Sequence, residues 1–257
     1  MKKAFSTELL RKNLNAEGAV GTWVHIPSPT SAEFLAYSGT DFLVVDLQHS
    51  LTGLEVAFDM IRVISLLEVT VLVRLTGLDI LQAGRVLDAG ASGIICPMIN
   101  SKEEAEALVS ACRYPPKGVR SYGPFRPRIM WKDTYLKDAI DGVIVIAMIE
   151  TPDGINNMDE IASVDGLDGL FAGPSDVALA LGEEPEMDPN NPIVRKVLKK
   201  IANSAIKYGK FAGIATDSSV FSKVSAAWGY RFHIVASDVK FMERGLQKMV
   251  AEMSERV

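Results

Sequence analysis

The sequence predicts an α/β fold of the (β/α)8 TIM-barrel type, a single domain spanning residues 1–257. Three observations point there. Short β-branched or apolar runs recur eight times, and an amphipathic segment follows each. Most runs are apolar on both faces, as expected of parallel strands covered on each side. No linker divides the chain into halves, so the repeated alternation favours a closed barrel over an open sheet.

The segment Thr7–Leu14 reads as an extra helix ahead of the first strand. The first four strand–helix pairs are Val20–Val24 with Thr30–Ser38, Phe42–Asp46 with Leu54–Leu67, Val69–Leu75 with Asp79–Ala89, and Gly93–Cys96 with Lys102–Cys112. Next comes the longest irregular stretch, Tyr114–Arg128 (YPPKGVRSYGPFRPR), and a loop of that length in a compact domain serves function or assembly. The remaining pairs are Val143–Glu150 with Asp153–Ser163, Leu167–Ala172 with Ile193–Tyr208, Phe211–Ala215 with Asp217–Trp228, and Phe232–Ala236 with Val239–Met253. Several helices open on Ser, Thr or Asp and close near Gly, as with Asp79 and Gly90 or Asp217 and Gly229.

Hydrophobic residues make up 48% of the chain, with Gly and Pro dispersed, which excludes low-complexity disorder. A net charge of −5 without a Lys/Arg block gives no electrostatic basis for nucleic-acid or membrane binding. Cys96 and Cys112 lack metal-type spacing and suit a reducing cytoplasm. Met1–Asn15 has no apolar run of signal-peptide length, and no segment is long and apolar enough to span a membrane.

Barrel chemistry sits at the C-terminal strand ends. There, strand two ends on Asp46 and continues Leu47-Gln48-His49, while strand three ends Val73-Arg74-Leu75. Strand five ends Ile149-Glu150-Thr151, and strand six leads into Gly173-Pro174-Ser175-Asp176. Glu150 and Asp176 have two readings: a hard divalent cation pair, or a solvated loop acid and a helix cap. Arg74 is either a salt-bridge partner of Asp46 or a stabiliser of an enolate oxygen. His49, close after Asp46, is the natural acid–base candidate, whereas nothing around His25 specifies a role and His233 within strand eight reads as structural. The turn at Gly173 and Ser175 is either a tight connection or a set of helix-start N–H groups for a carboxylate. No strand run contains the Lys of a Schiff-base aldolase, and neither a nucleotide motif nor a nucleophile elbow is present.

Seven stretches resemble the class II pyruvate aldolases of the 4-hydroxy-2-oxo-heptanedioate (HpcH/HpaI) aldolase family. They are GTWVHIPSP (Gly21–Pro29), DFLVVDLQH (Asp41–His49), VLVR (Val71–Arg74), VLDAGASGIICPM (Val86–Met98), RYPPKGVRSYGP (Arg113–Pro124), MIETPDGINNMDEI (Met148–Ile161) and GLFAGPSDVALALG (Gly169–Gly182). The resemblance implies Glu150 and Asp176 as ligands of Mg²⁺, Mn²⁺ or Co²⁺, Arg74 at the keto/enolate oxygen and His49 as base, directly or through a bound water. It implies Asp46 supporting the Arg/His cluster, Asp88 pairing with the histidine across a subunit boundary, Trp23 lining the pocket, and Gly173 and Ser175 holding the substrate carboxylate. It further implies a trimer or hexamer with the last helix exchanged between barrels. The substrates would be a small 2-oxo acid and an aldehyde, joined or released through an enolate, with oxaloacetate decarboxylation as a side activity. The chain departs from the family pattern at Gln48, Met148 and His25, all near the pocket. Two rivals are an acyl-CoA lyase of the citrate-lyase β-subunit type and a non-catalytic 2-oxo-acid-binding barrel. The first calls for a basic cluster for CoA phosphates, which is absent outside Arg113–Arg128; the second sits poorly with a complete set of acid–base and metal positions.

Overall fold

The computed structural model describes residues 7–131 and 135–254; the first six residues of the N-terminal stretch and the chain's last three lie outside the described residues. Eight parallel strands close into a barrel in chain order. The first half runs α1 (Thr7–Asn15), β1 (Ala19–Val24), α2 (Pro29–Ala36), β2 (Phe42–Asp46), α3 (Leu54–Ile64), β3 (Thr70–Arg74), α4 (Ile80–Ala89), β4 (Gly93–Cys96) and α5 (Lys102–Cys112). The second runs α6 (Pro127–Trp131), α7 (Tyr135–Gly142), β5 (Ile144–Met148), α8 (Pro152–Asn156), α9 (Met158–Ala162), β6 (Gly169–Ala172), α10 (Pro174–Ala180), α11 (Pro192–Lys207), β7 (Phe211–Thr216), α12 (Ser219–Ala226), β8 (Tyr230–Ser237) and α13 (Asp238–Ser254).

Two apolar layers form because alternate strand residues face opposite ways. Leu43, Val45, Val71, Val73, Val145 and Leu170 pack outward against the helices. Trp23, Phe42, Val44, Leu72, Ile146 and Phe171 fill the barrel interior. Leu10 and Leu14 of α1 join that inner layer. Asn13 and Arg11 tie α1 to Asp41 and Asp168, which lie just ahead of β2 and β6. Helix α1 therefore plugs the N-terminal mouth, and the C-terminal mouth is the one left for a site.

Asp79 caps α4 through the N–H groups of Leu81 and Gln82, and Gly90 ends it at φ 111, a conformation that glycine adopts without a Cβ clash. Other boundaries differ from the sequence reading. The cap of α12 is Ser218, whose hydroxyl accepts from Phe221 N–H, rather than Asp217. The segment read as one helix over Asp153–Ser163 is two short helices separated at Asn157, whose side chain is drawn away to the Asn100 carbonyl. The long loop after α5 runs into α6 and α7, neither of them anticipated. Among the described residues no helix is long and apolar enough to cross a membrane.

Candidate active site

Strand alternation carries the key side chains inward. Phe42 and Val44 face the interior, so Asp46 does too; Leu72 makes the same argument for Arg74, and Trp23 for His25. Beyond β5 and β6, the same parity runs from Met148 to Glu150 and from Phe171 to Gly173.

On one side of the mouth, the β2–β3 register places Asp46 directly beside Arg74. Arg74 donates from Nε to Asp46 Oδ1 at 2.8 Å and from Nη2 to Oδ2 at 2.6 Å, a buried bidentate pair. His25 Nε2 stands 3.0 Å from the same Oδ2, a close contact off the hydrogen-bond axis. Burial alone would push the Asp46 carboxyl up, but His25 and Arg74 outweigh it and hold the group well below the usual carboxylate range. The Arg74 guanidinium lies 4.0 Å above the Trp23 ring, a cation–π contact that fixes its plane.

On the opposite side, Glu150 is 6% exposed rather than a solvated loop residue. Its Oε1 accepts from Met98 N–H at 2.9 Å. Met98 holds φ 54, a left-handed conformation costing about 1–3 kcal/mol for a residue with a Cβ. Asp176 sits in the first turn of α10, but the cap position is Gly173 and no side chain caps that helix, so the cap role foreseen for Asp176 does not apply. A Cβ on Gly173 would lie 2.9 Å from Glu150 Oε2 and 3.3 Å from Asp176 Oδ2, so both acids face one small space that only glycine leaves open. Burial first, and then the charge of Asp176, raises the Glu150 carboxyl to about 7, with Met98 N–H and Arg74 opposing. Two carboxylates over a backbone cradle, whose mutual repulsion Met98 N–H and Arg74 do not offset, fit a hard divalent cation. Among the described residues no group of three or more His, Cys, Asp or Glu surrounds a metal-sized space, so water and substrate oxygens would complete such a shell.

The histidines depart most from the sequence reading. Asp46, expected to raise the standing of His49, instead contacts His25. His49 is exposed on the loop after β2 and lines the mouth without touching Asp46. His233 is buried in β8, its ring Nε2 3.3 Å from the Tyr230 carbonyl oxygen, as a structural residue would be. Sequence reasoning also missed Asp238, whose carboxylate accepts from the N–H groups of His25 and Ile26 and fixes the end of β1. Parity from Trp23 was the available signal for His25; nothing local marked Met98 or Asp238. Met148 is buried, its Cε 3.7 Å from the Cβ position of Gly173, and Gln48 N–H donates to Asp46 Oδ1. Asp88, on the last turn of α4, accepts from Arg120 Nη2 at 2.6 Å; burial raises its carboxyl more than Arg120 lowers it.

A closed parallel barrel with carboxylates, a guanidinium and imidazoles at its C-terminal mouth defines a barrel enzyme acting on a small polar molecule. Comparison with known proteins narrows the class. Residues 19–243 match the profile of the HpcH/HpaI aldolase/citrate lyase family. A hydroxypyruvate/pyruvate aldolase of Rhizorhabdus wittichii is 38% identical over 234 residues, covering 91% of this chain and 93% of the relative. A 5-keto-4-deoxy-D-glucarate aldolase of Shigella dysenteriae is 31% identical over 232 residues, covering 90% of each. The crystal structure of an HpcH/HpaI aldolase/citrate lyase family protein from Burkholderia cenocepacia superposes with a TM-score of 0.89 at 26% identity, covering 96% of this chain and 99% of that one. The chain belongs to the HpcH/HpaI aldolase/citrate lyase family, and with it to the carbon–carbon lyases.

Proposed function

We propose that this chain, as one barrel domain over residues 1–257, is a metal-dependent class II pyruvate aldolase. It would reversibly cleave a 4-hydroxy-2-oxo acid to pyruvate, or a close 2-oxo acid, and an aldehyde. One observation carries the reading: the Glu150 and Asp176 carboxylates meet over Gly173, with Arg74 near enough to temper the charge on Glu150. The names of the two aldolase relatives agree with it. Glu150 and Asp176 would hold Mg²⁺, Mn²⁺ or Co²⁺. Bound there, the cation would act as a Lewis acid toward the carbonyl of the 2-oxo acid.

The protein groups then have separate tasks. Arg74 spends Nε and Nη2 on Asp46, which leaves Nη1 to donate to the oxygen that becomes the enolate. Asp46 and the Trp23 ring keep that guanidinium in place. Ser175 N–H and the backbone at Gly173 receive the substrate carboxylate. In cleavage, His49 takes the proton of the C4 hydroxyl, the C3–C4 bond breaks to release the aldehyde, its electrons pass into the enolate, and His49 returns the proton to C3 to give the 2-oxo acid. In the reverse sense His49 takes a C3 proton and returns it to the C4 oxygen after the bond forms. Loss of CO₂ from oxaloacetate yields the same enolate, so that decarboxylation should accompany the aldol reaction. Asp88 would serve the His49 of a neighbouring barrel in a trimer or hexamer. Helix α13 supports that assembly, because Phe241, Met242, Leu246, Met249 and Val250 are all exposed on it. The free buried thiols Cys96 and Cys112 fit work in the cytoplasm.

The test is pyruvate release from a panel of 4-hydroxy-2-oxo acids, before and after chelation. Chelation should abolish release and Mg²⁺ or Mn²⁺ should restore it. Full activity in stripped protein, or borohydride trapping of pyruvate on a Lys, would overturn the proposal.

A further inference from the structure

The barrel mouth holds a cavity of about 710 Å³. Trp23, His25, His49, Ser50, Thr216 and Lys240 are in its wall, and Glu150 and Asp176 are not. A 2-oxo acid held at the Glu150–Asp176 end through the cation proposed there would leave this cavity to the other half of the substrate. Of the two imidazoles in the wall, that of His25 is the one whose orientation is fixed. It stacks on Trp23 at 6.5 Å and 19°, sets Nε2 against Asp46, and is carried on a backbone whose N–H donates to Asp238 Oδ1 at 2.9 Å. His49, by contrast, makes no hydrogen bond or ion pair among the described residues and is exposed.

With Nε2 3.0 Å from an ionised carboxylate oxygen, a lone pair on that nitrogen would meet like charge, so although the contact lies off the hydrogen-bond axis the neutral imidazole keeps its hydrogen on Nε2 and its lone pair on Nδ1. Nε2 is the buried ring nitrogen. The side chain keeps 25% of its surface open, and His25 is among the residues that line the cavity. A fixed acceptor in a partly desolvated wall discriminates strongly, because it is left unpaired by any ligand without a donor.

We propose that His25 is a specificity-determining residue that accepts a hydrogen bond at Nδ1 from a hydroxyl on the aldehyde half of the substrate. The enzyme would accordingly favour 4-hydroxy-2-oxo acids derived from hydroxyaldehydes over those derived from alkyl aldehydes. This rests on the aldolase reading above, and it goes beyond that reading by naming a substrate feature and the atom that reads it.

The experiment compares parent, His25→Phe and His25→Asn proteins with their metal restored. Each is assayed on pairs of 4-hydroxy-2-oxo acids differing only by a C5 hydroxyl, and for exchange of the pyruvate C3 protons with deuterium. Phe keeps the stack on Trp23 without a nitrogen; Asn returns a polar acceptor near the position of Nδ1. His25→Phe should lower kcat/KM on the hydroxylated member about tenfold or more, as expected for an unmade polar contact. The C5-deoxy member should fall by clearly less than the hydroxylated one, because both share whatever the lost Asp46 contact costs and only the hydroxylated member loses the contact at Nδ1. Exchange should persist, showing an intact fold and enolate site, and His25→Asn should recover part of the preference. Equal losses on both members, or a hydroxyl preference that survives His25→Phe, would overturn the role of His25 while leaving the aldolase reading intact. A parent that neither exchanges nor cleaves overturns the aldolase reading, and the proposal with it.

Discussion

The two sides of the barrel mouth are electrostatic opposites. On the β1–β3 side, Asp46 is fully buried, yet Arg74 and His25 meet its charge and its carboxyl is held low. On the β5–β6 side, Glu150 is nearly as buried and faces another acid, and its carboxyl rises to about 7. The first cluster has its positive partners in direct contact; at the second, Arg74 opposes the rise but does not outweigh burial and the charge of Asp176. Such a pair of environments separates a framework that orients groups from a pair of like charges held close together.

The largest effect should come from breaking the β1–β3 side. Asp46→Ala leaves the Arg74 guanidinium buried without its carboxylate, which should cost about 3–5 kcal/mol in urea unfolding. A loss under about 1 kcal/mol would mean that the pair behaves like a surface contact and that the two sides of the mouth do not differ in this way.

Arg74→Ala should slow both aldol cleavage and oxaloacetate decarboxylation about a hundredfold, or about 3 kcal/mol, since both pass through the enolate. His49→Ala should spare decarboxylation more than cleavage, because loss of CO₂ forms the enolate without a base. Measuring both reactions at matched metal content separates the two roles; equal losses in His49→Ala would remove it as the base.

The β5–β6 side can be sharpened by filling its cradle. Gly173→Ala places a Cβ against Glu150 Oε2 and Asp176 Oδ2. Mn²⁺ affinity should fall about tenfold, or about 1.4 kcal/mol, and calorimetric titration reads it directly. Unchanged affinity would show that the carboxylates bind no cation at that point.

The smallest effect is on stability against pH in metal-free protein. The folded Glu150 carboxyl is raised from 4.5 to about 7, so the native state binds more protons than the unfolded chain between those values. Stability at this site therefore falls as pH rises through the window, and the full penalty is present above it. Glu150→Gln, whose amide oxygen can still accept from Met98 N–H, should unfold at higher urea than the parent above pH 7, with the gap closing toward pH 4.5. Mg²⁺ should stabilise the parent most at the alkaline end and have no such effect on the variant.

Much of this was legible in the chain. The continuous apolar runs at Phe42–Asp46 and Gly93–Cys96 sit where strands were read, because burial on both faces is written locally in residue type. Helices α6 and α7 were not legible: they follow a stretch dense in Pro, Gly and Arg, and tertiary packing of Trp131 and Tyr135, both buried, accompanies their formation.

By itself, the sequence determined the barrel and the residues worth watching at each strand end, since both rest on periodicity and short-range pattern, and it pointed to the family through the resemblance of seven stretches. Tertiary structure decided which of them meet. Parallel register joins Asp46 to Arg74 across strands, and inward parity beyond Trp23 brings His25, rather than the sequence-adjacent His49, to the same carboxylate. The closing of β6 into α10 turns Asp176 toward Glu150 instead of leaving it as a helix cap. Proximity in sequence puts His49 three residues from Asp46, but direction is set by the strand's alternation, which ends where the loop begins.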